Sequence, residues 1–65
     1  MIRNRILEIL NERGKIEFKE LVKELKTHPY VVRKIVEELR REGKINLTKE
    51  VYHHKPKKFK LFVSL

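Results

Sequence analysis

Residues 18–45 read FKELVKELKTHPYVVRKIVEELRREGKI, and the spacing of apolar residues within that stretch decides the fold. Phe18, Leu21, Val22 and Leu25 stand at i, i+3, i+4 and i+7, which puts them on one side of a helix. Val32, Val36 and Leu39 keep the same helical spacing farther along. Each segment therefore buries one stripe. Between the stripes, Lys26, Thr27 and His28 leave room only for a tight turn. Pro29 suits the first turn of a new helix, where its fixed φ and missing N–H do no harm, and His28 falls near the N-cap.

Outward from this pair, the patterns change twice. Residues 2–12 predict a first helix, with Ile2, Ile6, Leu7, Ile9 and Leu10 covering an arc of roughly 160° at 100° per residue. Gly14 is placed to stop it, and Lys15, Ile16 and Glu17 form a short extended lead into the second helix with Ile16 inward. The third helix is expected over 29–42, with Gly43 ending it. After Gly43 the period becomes two: Ile45, Leu47 and Val51 alternate with polar residues, and Phe59, Leu61, Val63 and Leu65 do so more cleanly. That predicts a hairpin, with His54, Lys55, Pro56 and Lys57 as the turn-favouring connection.

The bulk properties narrow the function. A chain of 65 residues is one domain with a small core. It has no cysteine, so disulfides, cysteine-ligated zinc and thiol chemistry are excluded. No apolar run approaches the ~18 residues of a membrane span, and the start MIRNRILEIL is not a signal peptide, so a soluble, cytoplasmic protein with no membrane partner is expected. Lys and Arg number 17 against 9 Glu, for a net charge of +8, and the excess lies late in the chain. Residues 1–43 hold 11 basic and 8 acidic side chains (net +3), residues 44–65 hold 6 and 1 (net +5). An acidic partner is implied. Richness in Lys, Glu, Arg and Ile, with Ala, Asp and Gln missing, is a thermophile-like bias.

Chemistry has little to work with. There is no Asp, the one Ser is near the end, and no glycine-rich phosphate loop or pocketed carboxylate pair is visible, so the chain reads as a non-enzyme without a cofactor. His53 and His54 are neighbours on a strand and point to opposite faces, which argues against a shared metal. No small-molecule effector is evident.

Two short helices locked across a tight turn are a known way to present the second to the major groove of DNA. Projected at 100° per residue, the third helix puts Tyr30, Arg33, Lys34, Glu37 and Arg41 opposite its buried stripe. Arg33 can contact guanine O6 and N7 bidentately, Lys34 a base or a phosphate, Tyr30 a phosphate or a thymine methyl. Thr27 and His28, at the helix entrance, offer a hydroxyl, an imidazole and free N–H groups to a phosphate. Arg41 lies farther along and is expected to pair with Glu37 or Glu38 instead. Lys55, Lys57 and Lys58, in a hairpin that also carries Lys49 and Lys60, suit phosphate or minor-groove contact. As an alternative role, those lysines guard an exposed strand edge.

The order helix, short strand, helix, helix, hairpin resembles the winged helix-turn-helix family over essentially the whole chain. The resemblance is most specific at Glu20 to Val22, the turn Lys26 to His28, the apolar Val32 near the start of the third helix, and the series Leu39, Gly43, Ile45. Lys26 stands where that turn often has Gly, and Thr27 where a small apolar residue usually packs. The resemblance implies an α+β fold of three helices and a C-terminal β-hairpin wing. It also implies a recognition helix at 29–42, a basic wing at 49–60 and a double-stranded DNA partner. A small archaeal-type or other prokaryotic transcriptional regulator, associated with the nucleoid, is the expectation. A protein-interaction module of transcription or replication machinery, or an RNA-binding or sequence-indifferent architectural protein, stands as the alternative. Ile2, Ile6 and Ile9, with Val31 and Ile35, read either as core or as the seam of a homodimer.

Overall fold

The computed structural model describes residues 2–52 and 55–65, with the backbone alone at 52 and 55–58. Three helices and three strands follow in the order α1 (Ile2–Arg13), β1 (Lys15–Glu17), α2 (Phe18–Leu25), α3 (Pro29–Arg41), β2 (Asn46–Tyr52) and β3 (Lys55–Ser64). The fold is α+β, with a three-stranded antiparallel sheet in the order β1-β3-β2.

Each boundary has a local cause. Gly14 has φ of +76°, and its N–H donates to the Leu10 carbonyl at 2.7 Å, closing α1. Gly43 has the same φ and sits where α3 unwinds. There the Lys44 N–H reaches the Leu39 carbonyl and the Gly43 N–H the Arg40 carbonyl, both at 3.0 Å. These two bonds form a Schellman stop, which satisfies carbonyls that the helix end would otherwise leave open. α2 ends differently: Lys26 itself is left-handed, at φ 52° and ψ 38°, with its N–H on the Val22 carbonyl at 3.0 Å. A side chain with a Cβ pays a steric penalty in that region that glycine avoids.

The sequence leads one to expect a bare hairpin, and the structure adds a strand to it. β1 pairs with the end of β3, Ile16 opposite Val63, so the short extended segment before α2 clamps the hairpin to the helices. The end of the chain reinforces the clamp, since the Leu65 N–H donates to the Gly14 carbonyl at 3.2 Å. The turn expected at residues 54–57 is also corrected. β3 already begins at Lys55, which pairs with Tyr52, so the connection is residues 53 and 54, outside the described residues. Pro56 is tolerated in the strand because it falls where the register shifts, between the pairs Val51–Phe59 and Tyr52–Lys55, and because β1 reaches only residues 62–64.

The core is formed by Ile6, Ile9 and Leu10 of α1, Ile16, Leu21 of α2, Val32, Val36 and Leu39 of α3, Ile45 and Val63. Both stripes read from the spacing point into it. The wide arc of α1 is used as well, with Ile2 and Leu7 packed on its edge, and Ile35 is likewise partly buried. Ile6 and Ile9 are thus core, while Val31 stays 39% exposed. Full burial of such side chains contributes about 1.5–3 kcal/mol each. No described helix is long and apolar enough to cross a membrane.

Candidate nucleic-acid interface

With Val32, Val36 and Leu39 locked inward, the opposite side of α3 must face outward, and a shallow depression there is lined by Tyr30, Arg33, Lys34, Glu37, Glu38 and Arg41. Tyr30 is 72% exposed, the most exposed large apolar side chain among the described residues. Lys34 is exposed too. The face is not uniformly basic. Glu37 receives Arg33 Nε on Oε1 at 3.2 Å and Arg40 Nη2 on Oε2 at 2.9 Å. The Arg40 hydrogen bond, opposed by partial desolvation and helped by Arg33, holds the Glu37 carboxyl below its ordinary range.

Arg41 was expected to pair with Glu37 or Glu38, and this is corrected: Arg33 and Arg40 take both Glu37 carboxylate oxygens. Arg41, four residues on, makes no ion pair with the described residues and stays exposed on the outward face. The cations here are therefore split between the tethered Arg33 and the untethered Lys34 and Arg41.

At the entrance to α3, His28 is the N-cap, and its Nδ1 accepts from the Tyr30 N–H at 3.1 Å. The His28 carbonyl accepts from Val31 and Val32 at 3.0 and 3.2 Å, and Pro29 has no N–H. The free N–H groups expected at this helix end are thus all engaged within the chain. The Thr27 hydroxyl donates to the Leu25 carbonyl at 3.0 Å, which fixes the turn and leaves its lone pairs as acceptors. Thr27 and His28 build the turn before they can serve any ligand. What remains for a phosphate is the His28 Nε2 edge.

A second cleft runs between α3 and the hairpin, lined by Glu17, Phe18, Lys19, Arg33, Phe59, Lys60 and Leu61. Arg33 lines both depressions, so it stands at the junction of helix and hairpin. Lys19 and Phe59 were not singled out from the sequence. Lys19 sits on the polar side of α2 like any solvated lysine, and only the three-dimensional approach of α2 to β3 puts it beside Arg33. Phe59 belongs to the alternating apolar set, but it is 52% exposed, with the Lys49 ammonium 4.2 Å from its ring centre. Lys60 lies 3.8 Å from Glu17, across the sheet. Lys55, Lys57 and Lys58 belong to β3, but their side chains lie outside the described residues, as do His53 and His54.

Other charges have structural partners. Arg3 of α1 pairs with Glu42 after α3, holding that carboxyl below its usual range, and Arg13 of α1 pairs with Glu24 of α2. Lys15 reaches Glu50 at 3.1 Å and lies over the Phe62 ring at 4.6 Å. Lys34 and Arg41, on the outward side of α3, have no such tie among the described residues, and neither do Lys19 and Lys23 of α2. In comparison with known proteins, the chain matches no protein-family model, no curated protein and no solved structure.

Proposed function

We propose that the chain is a winged helix-turn-helix protein that binds double-stranded DNA as a transcriptional regulator. In this reading α3 enters the major groove and the basic hairpin, residues 49–60, lies on the backbone or in the minor groove. One observation carries it: Arg33 of α3, Lys19 of α2 and Phe59 of β3 line one cleft, so helix and hairpin offer their side chains to one partner. The net charge of +5 on residues 44–65 favours a polyanion for that partner. Phosphate neutralisation supplies the affinity, and Arg33, Lys34 and Tyr30 supply base contacts.

Titration of the protein on random-sequence duplex DNA, the same-length single strand and duplex RNA, over a range of salt, tests the reading. Duplex DNA is expected to bind best, with a log-log salt slope of about −0.9 for each phosphate neutralised. A slope near zero, or preference for RNA, rejects it. Lys57→Ala with Lys58→Ala should weaken all duplexes alike and flatten the slope by about 1 per lost contact. An unchanged slope makes those lysines edge guards. Sedimentation of the same samples decides whether one copy or a homodimer binds.

A second reading, a protein-docking module, is favoured by an almost wholly apolar crease formed by Phe18, Val22 and Pro29 with the stems of Lys19 and Lys23. It predicts no salt-dependent duplex binding.

A further inference from the structure

We propose that Glu37 is a positioning residue that aims Arg33 at a base edge, an inference that rests on the duplex-DNA reading above. Arg33 Nε donates to Glu37 Oε1 at 3.2 Å, one helical turn farther on. From the other side, Arg40 donates to Glu37 Oε2 from Nη2 at 2.9 Å and from Nε at 3.3 Å. The Glu37 side chain is 25% exposed, against 51% for Arg33 and 49% for Arg40, so the carboxylate is the sheltered member and is gripped from both flanks.

The atom that Glu37 holds gives the pair its direction. Tying Nε fixes the plane of the guanidinium while leaving the Nη1 and Nη2 edge open, and Arg33 has no other partner among the described residues. That open fork can donate two parallel bonds to guanine O6 and N7. An unrestrained arginine loses rotamer freedom when it makes such a contact, and a restrained one loses less, so the restraint appears as affinity for the right base. It also weakens the alternative in which Arg33 swings to the nearest phosphate. A carboxylate on the groove-facing side repels phosphate, which makes approach in a wrong register less favourable. Arg40 acts through Glu37 alone, by anchoring the oxygen that Arg33 does not use.

An exposed ion pair of this kind adds little to folding, so variants at Glu37 should fold as well as the parent. The duplex preferred by the parent is first selected from a randomised pool, and affinities for it and for random duplex are then compared across variants. Glu37→Ala and Glu37→Gln remove the same negative charge, so both should bind random duplex somewhat more tightly and to a similar degree. They differ in the restraint: the glutamine oxygen still accepts from Arg33 Nε, and the alanine cannot. Glu37→Gln should keep the preferred-to-random ratio within about twofold, whereas Glu37→Ala should lose about tenfold. Arg33→Ala should lose that ratio already, and adding Glu37→Ala to it should lose no more.

A readout without DNA accompanies these measurements. The Arg33 Nε–H resonance of the free protein should be ordered in the parent and in Glu37→Gln, and averaged in Glu37→Ala. The proposal is overturned if Glu37→Ala keeps its discrimination, if Glu37→Gln loses as much as Glu37→Ala, or if the resonance is indifferent to both. The parent separates the two levels of failure. Absence of duplex binding by the parent rejects the DNA reading itself, while binding without sequence preference leaves that reading standing and rejects the role of Glu37.

Discussion

The helical body and the hairpin are built on opposite terms. Residues 2–45 supply nine of the ten buried apolar side chains among the described residues, and the hairpin strands supply one, Val63. Along the inward face of the hairpin, burial fades with distance from the helices. Leu47 opposite Val63 packs on the core, Lys49 faces Leu61, and Val51 opposite Phe59 leaves both side chains 52% exposed. One alternating pattern thus serves two ends. Near the body it is core, and farther out it is surface held by cross-strand pairing and by Lys49 over the Phe59 ring. Stability should therefore be sensitive to change in the body, and the outer hairpin should be free to carry charge and contact a partner.

The largest effect tests the body. Leu39 is fully buried on α3, and Leu39→Ala should destabilise the domain by about 2–5 kcal/mol through lost burial and a residual cavity. In a domain this small that is most of the stability, so circular dichroism should show it largely or wholly unfolded at physiological temperature. If it instead melts close to the parent, the core is not where the fold is held and the contrast with the hairpin collapses.

Next come the left-handed positions on either side of α3, Lys26 and Gly43, and they should respond with opposite signs. No atom lies within 4 Å of where a Cβ on Gly43 would sit, so Gly43→Ala should lose about 1–2 kcal/mol through backbone strain alone. Lys26 already carries that strain at φ 52°, and Lys26→Gly should relieve it, raising the denaturation midpoint by the equivalent of about 0.5–1 kcal/mol. A loss in Lys26→Gly would mean that the lysine side chain, rather than the backbone, holds the turn.

These positions also show what was legible in the sequence. The helix spans followed from spacing and from local stops: Gly14, Gly43, and Pro29 after His28 are signals that act within one turn, where sequence and structure are nearly the same information. Lys26 was visible as a departure from the usual glycine, and the structure keeps the left-handed geometry regardless. Long-range features were not legible. That Ile16 would pair with Val63 depends on how the whole chain closes, and three residues of extended backbone carry no mark of their partner. The outward set Tyr30, Arg33, Lys34 and Arg41 could be projected from helix geometry, but the choice Glu37 makes could not. A glutamate with arginines at i−4, i+3 and i+4 has three candidates, and rotamers decide among them. Nor could a helical projection show Lys19 or Phe59 beside Arg33, since they come from three different elements.

Smaller effects should appear on acidification. Glu37 and Glu42 both have carboxyl groups held below their ordinary value of 4.5, chiefly by the Arg40 and Arg3 hydrogen bonds respectively. A carboxyl whose folded value is depressed stabilises the fold above its unfolded value and loses that contribution as pH falls through the folded one. Stability measured by denaturant should thus be flat from neutrality down to about pH 5 and decline below it. Glu42 is exposed and Glu37 only partly sheltered, so the decline they cause is modest, and Glu42→Gln should remove part of it. A profile that falls between pH 7 and 5 would point to a group other than these two.

The smallest change in stability should come from the outer hairpin, where the contrast is sharpest. Phe59 is a large aromatic, and its loss from a core would typically be worth about 3–5 kcal/mol. Here it is half exposed, its cross-strand neighbour Val51 is equally exposed, and Lys49 lies over its ring. Phe59→Ser should therefore shift stability by no more than about 1 kcal/mol, the scale of an exposed cation–π contact or a cross-strand pair. Its effect on binding should be disproportionate, because the same ring lines the cleft with Arg33 and Lys19. Measuring the melting temperature and duplex affinity of the one variant separates the two roles. If Phe59→Ser melts far below the parent, the hairpin is part of the core after all. If both quantities stay at parental values, the cleft between hairpin and α3 is not a contact surface, and the interface contracts to the outward face of α3.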